Sequence, residues 1–224
     1  MRTMPSSSPT GQPAGPSERC PSWFESAAGQ ALIGSETDSI LAALHEREGH
    51  GWLWLATTGS QGAPGGRGLR LTAAGSGWDG PVRCGIPLPL ANESVATVVV
   101  QHAGQRGAHA GALVAECARV LVPGGRLWLY ALNPVSPYRF RWSGWAVRAS
   151  EPMPWRRRLR DAGLQPDAIS QGVGPRWRIE ASPALQQGPG LRAAWVLRAE
   201  KRVVPLTPIR QVIPLRMGDG VPAA

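Results

Sequence analysis

The run from Leu88 to Leu132, LPLANESVATVVVQHAGQRGAHAGALVAECARVLVPGGRLWLYAL, constrains the fold more than any other part of the chain. Val95 to Val100 holds five Val or Ala residues in six. An apolar run that short, without alternation, fits a strand covered on both faces, as parallel sheets require. After a polar loop, Ala112, Leu113, Ala115, Cys117, Val120 and Leu121 recur at helical spacing, with Glu116 and Arg119 predicted toward solvent. Pro123-Gly124-Gly125 reads as the helix stop, since proline cannot continue a helix and glycine accepts a left-handed exit. Arg126 to Leu132 is the next apolar run, so the segment predicts one βαβ unit.

Elements on either side follow from the same reasoning. Trp23 to Ile33 is apolar-patterned and potentially helical. Ser35-Glu36-Thr37-Asp38 reads as the start of a separate helix that carries Ile40, Leu41 and Leu44 and ends near Gly49. Trp52 to Ala56 and Gly68 to Thr72 are strand candidates with a glycine-bearing loop between them, and Val82 to Ile86 is a third. Pro154 to Ala162 predicts a helix closed by Gly163; Asp167 to Val173 and Ala193 to Val203 predict late antiparallel strands. Residues 1–21, rich in Pro, Ser and Gly, read as a disordered tail, 22–204 as one domain, and 205–224 as an extended tail.

Composition sets outer limits. No apolar stretch approaches the length of a membrane span. Cys20, Cys84 and Cys117 lack metal-ligand spacing and read as free thiols of a cytoplasmic chain, with no metal expected. The 24 basic residues exceed the 15 acidic ones, and all but Lys201 are arginine. Nine arginines against three acids fall between Arg139 and Arg178, a face suited to RNA, an anionic lipid surface or an acidic substrate, or simply to water.

In order and spacing, Leu88-Pro89-Leu90, Glu93-Ser94-Val95, Glu116, Arg119-Val120-Leu121 and Pro123-Gly124-Gly125 resemble the later half of class I S-adenosylmethionine-dependent methyltransferases of the type 11 group. The resemblance spans Trp23 to Arg210 and is poor before Pro87; Lys201 to Arg210 is similar to the ending of one bacterial branch. It implies an α/β, Rossmann-like three-layer fold with a mostly parallel seven-stranded sheet and an antiparallel last strand. S-adenosylmethionine is the implied cofactor, lying across the carboxyl ends of the first strands.

That resemblance places the cofactor against Ala56, Thr57, Thr58, Gly59 and Ser60 after strand one, Ala73 after strand two, Cys84 or Gly85 near the adenine position and Gln101 after strand four. The family's motif is degenerate here. Trp54 stands at its acidic position and Ala56 at its first glycine, and Thr72-Ala73-Ala74 lacks the carboxylate that takes the ribose hydroxyls; Ser60, Thr57 and Asp79 are possible substitutes. His102 is the candidate catalytic base, able to orient or deprotonate a small-molecule or RNA acceptor, with an imidazole tied to its own loop as the bland alternative. Asn133-Pro134 either lines the acceptor pocket or ends the strand. Trp142, Trp145 and Trp155 alternate with arginines and fit either base stacking or core packing. Two functions follow: methyl transfer, weakened by the degenerate motif, or a non-catalytic protein of this fold that binds RNA or protein through its arginine-rich face.

Overall fold

The computed structural model describes residues 22–202 apart from 48, 60, 61, 63, 76 and 104–109. Both proposed tails, Cys20 and Ser60 lie outside the described residues. Strands β1 (Trp52–Ala56), β2 (Gly68–Ala74), β3 (Gly77–Asp79), β4 (Val95–Gln101), β5 (Leu121–Leu132), β6 (Leu164–Pro166), β7 (Gln171–Val173), β8 (Gln186–Gln187) and β9 (Ala194–Lys201) form one sheet. Its order is β3-β2-β1-β4-β5-β9-β7-β8, with β6 also on β9. The Rossmann-like layered fold stands, with nine strands where seven were expected. The central four, β2-β1-β4-β5, are parallel, and both flanks are antiparallel.

β4 and β5 lie side by side and point the same way, Thr97 opposite Arg126 through Gln101 opposite Tyr130. Every residue of β4 is buried. Leu53, Leu55, Val98, Val100, Leu127 and Leu129 face helices α2 (Ala110–Val120) and α3 (Pro152–Asp161). Trp54, Ala56, Val99, Tyr130 and Leu132 face helix α1 (Ala27–His45). This two-sided burial is the cause of the unbroken apolar runs. Seven of the ten tryptophans are core residues, Trp142 and Trp155 among them, which leaves only Trp145 of that trio at the surface.

Three local expectations are corrected. First, Ser35 does not start a helix: α1 begins at Ala27 on an Ser26 cap and runs through it. The Ser35 hydroxyl donates to the Ala31 carbonyl at 2.6 Å and accepts from the Ser182 amide, so a residue that can cap is used inside the helix. Second, Pro123-Gly124-Gly125 lies within β5 as a bulge rather than stopping α2. The helix has already ended, because the Glu93 and Ser94 amides capture the carbonyls of Arg119 and Val120. Gly124 has φ +74, and a Cβ on Gly125 would come within 2.8 Å of the Val122 carbonyl, so the bulge needs both glycines. Third, Val82–Ile86 is not a parallel strand. β2 turns back through Gly75 (φ +56) into antiparallel β3, with only Cys84 bridging to Trp78.

The buried stripe of α2 is Leu113, Val114, Cys117, Ala118 and Val120, with Ala112 and Ala115 at the surface. Burial pushes the Cys117 thiol up to about 12. Glu116 and Arg119 do not simply face solvent. Arg119 donates to the Leu88 and Leu90 carbonyls and to Asn92 at 2.7–3.1 Å, and Glu116 accepts from the Leu88 amide at 2.9 Å while holding Arg119. The separate pieces of the sequence signature are therefore one clamp that fixes the entry to β4.

Arg119→Ala should lower stability by about 1–2 kcal/mol in urea denaturation, the scale of charge-assisted bonds discounted for partial exposure. The Arg119 guanidinium holds the Glu116 carboxyl below its ordinary value, with the Leu88 amide acting in the same direction. A depressed native value means the contribution is complete at neutral pH. It should fade as pH drops below the ordinary glutamate range and vanish below the native value, a loss that Glu116→Gln removes.

Candidate functional site

Two groups of residues gather at the carboxyl edge of the parallel strands. The first is buried. Glu36 sits in the apolar stripe Leu32–Ile40–Leu44 of α1 and is fully buried. Its Oε2 accepts from Gln101 Nε2 at 2.9 Å, and its Oε1 lies 2.8 Å from His102 Nε2. Trp54 Nε1 donates to Gln101 Oε1 at 3.2 Å, which orients that amide. A carboxylate only accepts, so Nε2 is the ring nitrogen that donates to Glu36. Nδ1 is buried and has no partner among the described residues. His102 is held at φ +50, a left-handed conformation uncommon outside glycine, and its ring stacks on Phe24 with centroids 4.9 Å apart. Beside it Ser39 Oγ and Tyr130 Oη are 2.9 Å apart.

The second group is an open cleft of about 270 Å³ lined by Gly59, Thr72, Ala73, Ala74, Asp79 and Gly80. The antiparallel return of the chain sets Asp79 opposite Thr72, so a carboxylate stands beside the end of β2 although β2 itself carries none. Its described ion pair is a 3.6 Å approach to the exposed Arg83. Among the described residues, a Cβ added at Gly59 would meet nothing closer than Thr72 Oγ1 at 4.0 Å, which leaves space beside that backbone.

Arg70 links the two groups. Its guanidinium lies 4.5 Å over the Trp54 ring and donates to the Thr58 carbonyl at 2.8 Å. Desolvation lowers its pKa below the usual arginine value. Next to it, the Trp52 indole lies across Gly68, where a Cβ would come within 1.9 Å of the ring.

Of the cofactor-contact candidates, Gly59 and Ala73 line the cleft. Ala56, Thr57 and Thr58 are buried, and Gln101 and His102 belong to the Glu36 cluster. Cys84 is half-buried in its bridge to Trp78, and burial raises its thiol. Asn133 is committed to structure: its amide donates to the carbonyls of Gly190 and Arg192 at 2.9 Å. Glu36 and Arg70 were not singled out from sequence. For Glu36 the signal was present, a carboxylate at the apolar phase of a helix. For Arg70 there was none, because its role depends on β1 lying alongside. Among the described residues no cluster of His, Cys, Asp or Glu could hold a metal ion, and no helix is long and apolar enough to cross a membrane.

Removing Glu36 would strand Gln101 and His102 in the core. Glu36→Ala is expected to destabilise the protein by about 3–5 kcal/mol, as for a broken buried pair, and equilibrium urea unfolding would measure it.

No protein-family model matches the chain. No curated protein matches it either. Solved structures do. An S-adenosylmethionine-dependent methyltransferase of Thermotoga maritima is 17% identical with a TM-score of 0.56, over 80% of this chain and 93% of that one. A chain from the complex between the Haloferax volcanii Trm112 methyltransferase activator and a methyltransferase candidate is 14% identical with a TM-score of 0.55, over 81% and 95%. With the four central parallel strands and the antiparallel β9 beside β5, the chain has the fold of the class I S-adenosylmethionine-dependent methyltransferases.

Proposed function

We propose that the protein is a methyltransferase that binds S-adenosylmethionine in the cleft between Gly59 and Asp79. The observation that carries this reading is the position of Asp79. A carboxylate beside the carboxyl end of β2 is what two ribose hydroxyls require, and here it comes from β3. The open backbone at Gly59 suits close approach of the amino-acid part. These residues fit a nucleoside ligand, although Ala56 and Trp54 depart from the family's motif.

When bound, the cofactor would supply an electrophilic sulfonium methyl for in-line attack. The chain's own residues would position the acceptor, a small molecule or an RNA base, and exclude water from it. His102, its ring oriented by Glu36, would take the proton from an acceptor hydroxyl or amine, a role that requires this buried side chain to become accessible. Gln101, held between Trp54 and Glu36, would keep that end of β4 rigid.

A second reading is a non-catalytic protein of this fold, acting as an RNA- or protein-binding module. It is favoured by the complete burial of the Glu36 and His102 side chains, which seals them from any acceptor as the chain stands. Titration calorimetry with S-adenosylhomocysteine separates the two: micromolar binding supports the methyltransferase, and silence at millimolar ligand supports the binding module. Asp79→Ala should weaken that binding by roughly ten- to a hundredfold, the value of a bond to a charged group, with no change in melting temperature.

A further inference from the structure

The segment after β5 is built with two opposed sides. Tyr138 and Trp142 point inward: the Tyr138 hydroxyl donates to the Ala28 carbonyl at 3.1 Å, and Trp142 packs edge-on against Trp23 at 5.3 Å. Trp23 Nε1 donates to the Arg141 carbonyl at 2.8 Å, which fixes the backbone from below. Ser136 caps the single turn Pro137–Arg141, and successive amides of Trp142, Ser143 and Trp145 bond back to Arg139 and Trp142, folding the segment into a tight knuckle.

Around those anchors the larger apolar and basic side chains turn outward, while Ser136 is buried and Val147 packs on the core. Phe140 is 69% exposed, Val135 61% and Trp145 41%. Arg139, Arg141 and Arg148 are exposed among them, and the Arg139 guanidinium lies 5.3 Å over the Phe140 ring. The acid in this stretch is Glu151, at its far end. The knuckle leaves β5 at Leu132 and returns where the Ser150 amide meets the Leu132 carbonyl, so it stands on the carboxyl edge of the sheet.

We propose that this knuckle, residues 135–148, is an interfacial anchor that docks the carboxyl edge of the sheet on an anionic phospholipid surface. The charge is complementary to anionic headgroups, and exposed aromatic rings beside arginines are the side chains that partition into a headgroup region. RNA is the poorer occupant. Of the three tryptophans that could stack on bases, Trp142 and Trp155 are buried, and the exposed Val135 offers nothing to a base. The inference does not depend on methyl transfer.

The test is sedimentation of the full chain with vesicles of phosphatidylglycerol and phosphatidylcholine, against vesicles of phosphatidylcholine alone. Binding is expected to the anionic vesicles only and to disappear at about 1 M salt, where charges are screened beyond roughly 3 Å. Phe140→Ser with Trp145→Ser should weaken it about tenfold or more, and Arg139→Gln with Arg141→Gln similarly. These side chains are exposed, so unchanged circular dichroism confirms that the variants fold. No binding to anionic vesicles, or binding that these substitutions leave intact, overturns the proposal. Salt-sensitive retention on RNA without vesicle binding also overturns it and assigns the face to nucleic acid.

Discussion

A strand buried on both faces favours polar groups at its ends, and β4, the small Thr97 apart, follows that constraint. Val98, Val99 and Val100 are sealed between α1 and the α2–α3 layer, so the polar chemistry of the strand is displaced to Gln101 and His102 at its carboxyl end. Once there, neither can remain unpaired in a dry interior. Glu36 answers both, one oxygen each, and by doing so fixes the rotation and height of α1 on the sheet. The same carboxylate that completes the core orients the His102 imidazole.

The other half of the sheet solves a different problem. Among the described residues between β1 and β2 there is no helix to cover the α1 side of those strands. Side chains do it instead: Trp52 folds across Gly68, and Arg70 lies on Trp54. A glycine opposite an indole and a guanidinium over an indole replace a layer of helix with a layer of side chain. Where the chain turns back at Gly75, the same shortening carries Asp79 to the end of β2. Loss of the expected third parallel strand and recovery of a carboxylate beside the cleft are thus one event.

The sequence was legible wherever local pattern and tertiary demand agree. β1 coincides with Trp52 to Ala56, β4 and β9 are read within a few residues, and Gly163 closes α3 in a left-handed conformation, as its position implied. Legibility failed where a residue had two uses. Ser35 can start a helix or sit within one, and only the Ser182 amide above it decides. Pro123-Gly124-Gly125 can end a helix or bulge a strand, and the captured carbonyls of Arg119 and Val120 decide. Glu116 and Arg119 form a helical pair in sequence, but their carbonyl and amide partners lie 28 residues or more away.

What the sequence alone determined is the parallel pair β4–β5, because unbroken Val-rich runs separated by an amphipathic helix have few other ways to bury both faces. It also carried the signature residues Glu116 and Arg119, though not the clamp they form at the entry to β4. Only the tertiary structure decided which polar side chains meet. Glu36 and His102 are 66 residues apart, and a contact of that kind is set by how a helix lies on a sheet rather than by any periodicity along the chain.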